Sequence, residues 1–300
     1  MADQTRHSPL ITPAELAPLL ADPRWVVFDC RHALTDAQAG PKAYAQGHIP
    51  GARFAHMDHD LSAPPSPAEG RHPLPRWGDF TAWLGRQGVS NASRVVVYDE
   101  TAGMFASRLW WMLRVLGHEN VRVLNGGLAR WKREGHPVTM DVPAPSPAQF
   151  RGAPRLDRIA TLEELLRHQG RAGQPMLRLV DGRVEARFEG REEPLDRVPG
   201  HIPGAVNWPF DDNLDAAYCF LPPETLRGQL LRLFAGTPPA EVVHYCGSGV
   251  SACHNLLAQE VAGMPPGRLY VGSWSQWCAD PARPVALGPV PLDPAKPDRN

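Results

Sequence analysis

Cys246 stands in the run His244-Tyr-Cys-Gly-Ser-Gly-Val-Ser251, a setting suited to a nucleophile. A β-branched pair, Val242-Val243, leads into it, and Gly247 and Gly249 follow at once. Two glycines so close let the backbone fold round the side chain and turn successive N–H groups inward. Beyond them Asn255-Leu-Leu-Ala258 can continue as a helix, whose positive end faces back toward the sulfur. A thiol in such a place is expected to ionise readily, since similar settings bring Cys pKa values from ~8.5 into the ~3.5–7.5 range. The amides of Gly247, Gly249, Val250 and Ser251 are expected to face the substrate and steady the anion carried by the sulfur. Cys30, Cys219, Cys253 and Cys278 have no comparable loop and read as small apolar side chains.

Two neighbouring chemistries are excluded. A cysteine phosphatase would place an arginine six residues after its cysteine to clamp phosphate, and that position is Ala252. Cys246 and Cys253, with His244 and His254, lack the clustered spacing of a zinc site. No metal is expected.

The elements that must hold this loop are duplicated. Gly-His-Ile-Pro-Gly-Ala occurs at Gly47–Ala52 and again, letter for letter, at Gly200–Ala205. Val26-Val-Phe-Asp-Cys-Arg31 answers Leu179-Val-Asp-Gly-Arg183, and Val95-Val-Val-Tyr-Asp99 answers Val242-Val-His-Tyr-Cys246. Leu124-Asn-Gly-Gly127 answers Tyr270-Val-Gly-Ser273. The repeat separates scaffold from function: what both halves carry is framework, and what one half carries alone is a candidate for chemistry. On that test the Asp-x-Arg pairs at Arg31 and Arg183, and the histidines His48 and His201, are framework. Asp99 occupies the cysteine position of the first half. Arg187 and Arg197 are private to the Cys-bearing half, and two guanidinium groups beside a nucleophile suit a substrate with a planar carboxylate. His72, in the five-proline loop Ser62–Pro75, is private to the first half; spacing alone reads it as a surface residue. Asp58 has a counterpart in Asp211, which counts against it.

Strands alternating with helices predict an α/β fold, with two tandem domains that are each a parallel sheet flanked by helices. The bounds read from the chain are 8–140 for a non-catalytic first domain, 141–154 for a proline-rich linker, and 155–285 for the catalytic domain; residues past Pro281 read as a loose tail. A length of 300 residues agrees with two domains. With 31 Lys and Arg against 32 Asp and Glu, bulk electrostatic capture of nucleic acid or of an acidic membrane is excluded. No apolar run approaches the roughly 18 residues of a membrane span, and the first residues lack the layout of a secretory signal. Five sparse cysteines are no disulfide framework and point to a reducing cytoplasm.

These motifs together resemble the tandem-rhodanese sulfurtransferases over about residues 8–280. The loop Cys246–Ser251 is similar to the Cys-Gly-Ser-Gly-Val-Thr loop of the mercaptopyruvate-type members, with Ser251 keeping the hydroxyl. Thiosulfate-specific members carry two basic residues after the cysteine, where this chain has Gly247 and Ser248. The resemblance implies a Cys246 persulfide formed from 3-mercaptopyruvate with release of pyruvate. It implies discharge to a small thiol, to thioredoxin or to cyanide, without cofactor. It further implies carboxylate-binding roles for Arg187 and Arg197, and a proton relay of Ser248, His72 and Asp58. The alternatives are a thiosulfate:cyanide sulfurtransferase and a persulfide carrier or sensor with little turnover.

Overall fold

Val26-Val27-Phe28 and Val95-Val96-Val97 are apolar at consecutive positions, the pattern of strands covered on both faces, and all six side chains are buried. The computed structural model describes residues 8–168 and 177–289; residues 1–7 and the tail from 290 onward lie outside it. The first half contributes β1 (Leu10–Ile11), β2 (Trp25–Asp29), β3 (Arg53–Phe54), β4 (Arg94–Tyr98) and β5 (Val121–Leu124). The second contributes β6 (Ile159–Ala160), β7 (Arg178–Asp181), β8 (Val206–Asn207), β9 (Val242–Tyr245) and β10 (Arg268–Tyr270). Each half forms one five-stranded sheet, in the orders β1-β5-β4-β2-β3 and β6-β10-β9-β7-β8, and every strand pair is parallel. The fold is α/β, with two such domains in tandem. In both sheets the connections leave in opposite directions from the two neighbouring strands β2/β4 and β7/β9. A crevice therefore opens at their carboxyl ends, where doubly wound sheets place their ligands.

The duplicated motifs perform duplicated tasks. Arg31 Nη2 meets Asp29 at 2.7 Å and donates to the Gly47 carbonyl at 2.7 Å; Arg183 meets Asp181 and the Gly200 carbonyl at the same two distances. Each buried ion pair thus ties a strand end to the start of a Gly-His-Ile motif. His48 stacks on Tyr44 and bonds its carbonyl; His201 stacks on Phe188 and bonds its carbonyl. Both histidines are framework, as the repeat implies.

The segments read as linker and tail are tethered. His48 Nε2 lies 3.1 Å from the Asp141 carbonyl, and the His201 amide donates to the Ala286 carbonyl at 2.9 Å, so the stretch after each domain returns to that domain's hexapeptide. The expectation of a loose tail past Pro281 is corrected up to Gly288, whose amide donates to the Glu189 carbonyl. Prolines there remove donors without preventing isolated backbone bridges.

The two halves share a core. Helix Ala106–Val115 of the first packs on helix Ser251–Val261 of the second, and Leu109, Leu113, Leu256 and Leu257 lie in one apolar cluster. His254 spans this contact. Its Nε2 donates to the Ala102 carbonyl at 2.9 Å, and its Nδ1 accepts from Asn213 Nδ2 at 3.1 Å. Burial pushes His254 and His244 down from 6.5 to about 4. The unfolded chain takes up these protons below pH 6.5 while the folded chain refuses them until about 4, so stability is full above the first value and is lost toward the second. Each histidine accounts for roughly 2–4 kcal/mol of that loss. Urea midpoints are expected to fall steeply from about pH 7 to about pH 5, and His254→Gln is expected to flatten that dependence.

Candidate active site

β9 ends at Tyr245, and Cys246 begins the loop to helix Ser251–Val261. Three backbone contacts anchor the loop from the outside. The Cys246 and Gly247 carbonyls accept from the Trp274 and Ser275 amides at 2.9 and 3.0 Å, and the Cys246 amide donates to Ser273 Oγ at 3.2 Å. Ser273 holds φ +53, an uncommon conformation for a residue with a Cβ; its counterpart in the first half is Gly127, at φ +58. Gly249, at φ +74, could not carry a side chain, because a Cβ would stand 2.6 Å from the Val271 carbonyl oxygen. With its carbonyls drawn outward, the loop leaves the amides of residues 247–251 without an acceptor among the described residues. Val250 is buried and Ser251 opens the helix.

The first half shows what such a cradle holds. Leu128 and Ala129 donate to the Asp99 and Glu100 carbonyls, as Trp274 and Ser275 do opposite. The Asp99 carboxylate, at the cysteine position, accepts from the amides of Thr101, Gly103, Phe105 and Ala106 at 2.8–3.2 Å. Burial raises its pKa and the amide bonds pull it back. The first-half loop is an anion nest filled by a side-chain carboxylate, and the matching position of the second-half loop is Cys246.

Three residues from opposite halves meet beside Cys246. Ser248 Oγ lies 2.7 Å from His72 Nδ1, and His72 Nε2 lies 3.2 Å from Asp58 Oδ1. The carboxylate can only accept, so Nε2 carries the hydrogen and Nδ1 is left to accept from the Ser248 hydroxyl. The hydrogen bond from His72, outweighing burial, holds the Asp58 carboxyl below its usual range. His72 is 7% exposed; the loop Ser62–Pro75 carries it into the second half rather than to the surface that its spacing suggested. Asp58 joins it despite its counterpart Asp211. His32 adds a third potential ligand atom, all three within 4.8 Å of one another. Both ring nitrogens of His72 are already engaged, one by Ser248 and one by Asp58, which leaves neither free to ligate a metal ion.

Arg187 stands over the loop and Arg197 does not. A Cβ on Gly247 would lie 3.5 Å from both Arg187 Nη atoms and 2.7 Å from Arg71 Nη2. Arg197 is exposed and its Nη2 donates to the Cys278 carbonyl at 3.2 Å. The second guanidinium over Gly247 is therefore Arg71, from the first half, and the placement of Arg197 beside Arg187 is corrected. Gly70, at φ +91, makes the approach possible: a Cβ there would strike the Gly272 carbonyl and Ser275 Oγ, each at 2.7 Å. The Arg71 amide donates to Ser275 Oγ at 3.1 Å. The available signal was its place next to His72 in a loop private to one half.

Beneath the loop lies Arg108, fully buried, from helix Ala106–Val115. It donates to the Gly249 and His72 carbonyls, both at 3.0 Å, so one guanidinium fixes the Cys246 loop and His72 together. No carboxylate pairs with it among the described residues. Burial lowers its pKa, and the Cys253 and Cys246 sulfurs oppose that shift. Cys253 is packing, as expected: burial pushes its thiol up to about 12. All five cysteines are unpaired, and no helix among the described residues is long and apolar enough to cross a membrane.

The model of the rhodanese-like domain matches residues 12–134 and 161–280. A probable 3-mercaptopyruvate sulfurtransferase of Pseudomonas aeruginosa is 46% identical, over 93% of this chain and 98% of that protein. The thiosulfate sulfurtransferase of Mus musculus is 38% identical over 79% of each chain. Among solved structures, the 3-mercaptopyruvate sulfurtransferase from Leishmania major superposes with a TM-score of 0.76 at 30% identity, over 90% of this chain and 74% of that one.

Proposed function

The chain belongs to the rhodanese-like domain family and is a sulfurtransferase, and from that premise we propose that its donor is 3-mercaptopyruvate, its carrier a Cys246 persulfide and its acceptor a thiol. The observation that carries this reading is the Ser248–His72–Asp58 chain beside the nucleophile. Thiosulfate gives up its outer sulfur and leaves as sulfite, with no carbon to protonate. 3-Mercaptopyruvate must return a proton to the carbon it loses sulfur from, and a relay serves only that donor.

Arg71 and Arg187 hold the donor carboxylate, with its sulfur toward Cys246. The Cys246 thiolate attacks that sulfur; the S–S bond forms as the C–S bond breaks, and the electron pair leaves as pyruvate enolate. The proton of the donor thiol reaches the enolate carbon through Ser248 and His72, giving pyruvate. The amides of residues 247–251 receive the persulfide anion. A thiol then takes the outer sulfur, leaving as its own persulfide and restoring the Cys246 thiolate. Thioredoxin or a small thiol fills this role, cyanide replaces it in the test tube, and a reducing cytoplasm suits five unpaired thiols.

Two substrates served in turn by one carrier give parallel lines in double-reciprocal plots. Pyruvate release from 3-mercaptopyruvate is expected to exceed thiocyanate formation from thiosulfate by roughly tenfold or more in kcat/KM. The reverse preference would sink the donor assignment and leave the persulfide chemistry standing.

A further inference from the structure

The two guanidinium groups above Gly247 already share a carboxylate. Asp196 Oδ2 sits 2.9 Å from Arg187 Nη2, and Asp196 Oδ1 pairs with Arg71 Nη1. One carboxylate thus bridges the two arginines, the geometry that a donor carboxylate would adopt there. Glu193 is also close but differently committed. Its oxygens meet Arg187 at 2.7 Å and Arg183 at 3.2 Å, and accept the Leu195 and Asp196 amides at 3.1 and 3.0 Å. Glu193 belongs to the wall. The Asp196 side chain is 4% exposed and has no amide donor among the described residues. Burial raises its pKa even with Arg71 and Arg187 beside it, whereas Arg187 holds Glu193 below its ordinary value despite burial. Cys246, under this pair, is 2% exposed.

We infer that Asp196 is a resident stand-in for the donor carboxylate, which an incoming 2-oxo acid displaces from Arg71 and Arg187 to reach Cys246. This rests on the donor reading given above. The exchange conserves charge: one carboxylate leaves the two guanidinium groups as another arrives, so no cation is left bare in the resting enzyme. It sets a threshold for entry, because a ligand must match a bridging carboxylate to win the pair. Asp196 is thus a specificity-determining residue that weakens ground-state binding.

The test is equilibrium binding of pyruvate, a 2-oxo carboxylate without transferable sulfur, to the full-length chain and its variants. Asp196→Asn and Asp196→Ser are both expected to bind pyruvate roughly five- to tenfold more tightly than wild type. Glu193→Gln is expected to bind it more weakly, because Arg187 loses the partner that orients it. Either Asp196 variant, if the other does not fold, decides the question. Pyruvate binding that is unchanged or weakened in the Asp196 variants, or absent from every form, overturns the inference. A wild-type enzyme that prefers thiosulfate would instead defeat the donor reading, while pyruvate binding still reports on Asp196.

Discussion

Cys246→Ser is expected to abolish sulfur transfer from any donor, a loss on the order of 10⁴-fold or more in kcat. The hydroxyl keeps the size of the thiol and leaves the contacts of the loop carbonyls to Trp274 and Ser275 in place. It is a far weaker nucleophile at neutral pH and forms no stable bond to sulfane sulfur. Intact-mass measurement reads the same event directly. Wild type exposed to 3-mercaptopyruvate gains one sulfur atom and returns to its starting mass when a thiol is added. The serine variant shows neither change. A wild-type adduct that persisted through thiol treatment would favour a carrier or sensor over an enzyme, and full activity in the variant would defeat every persulfide reading.

His72→Ala is expected to lower kcat with 3-mercaptopyruvate by roughly 10²- to 10³-fold. The imidazole bridges Ser248 and Asp58 with one nitrogen each, so its loss breaks the path by which a proton reaches the enolate. The same variant is expected to retain most of its thiosulfate activity, because sulfite departs without a proton. Ser248→Ala should follow the same donor-dependent pattern. Equal losses with both donors would mean that His72 only supports the loop, a task it shares with Arg108, which bonds its carbonyl.

The contrast between what the chain announced and what it concealed follows the reach of each interaction. The nucleophile loop was legible because its chemistry is local: a strand end, two glycines and a helix start within ten residues. The framework was legible because duplication supplied a control, and Arg31 with Arg183, and His48 with His201, occupy matching sites. The same control counted against Asp58, yet a residue can have a counterpart at its repeat position and still gain a partner in a loop private to its own half, as Asp58 does in His72. Arg71, Arg108 and Asp196 escaped for a related reason. Their roles depend on how one half docks on the other, or on how an irregular segment folds back, and neither is written in periodicity or spacing. Arg197 was assigned by order along the chain, which fixes no direction for a long side chain. Arg108 directly precedes the apolar run Leu109-Trp-Trp-Met-Leu113, and nothing in that pattern distinguishes a buried arginine from a solvated one.

The division of labour between the halves makes them inseparable in practice. The half with Asp99 in place of a cysteine brings Arg71 and His72 to the loop of the other half and braces that loop with Arg108. Severed from it, the Cys246-bearing half is expected to lose that bracing together with the apolar cover of helix Ser251–Val261, and so to transfer little sulfur on its own.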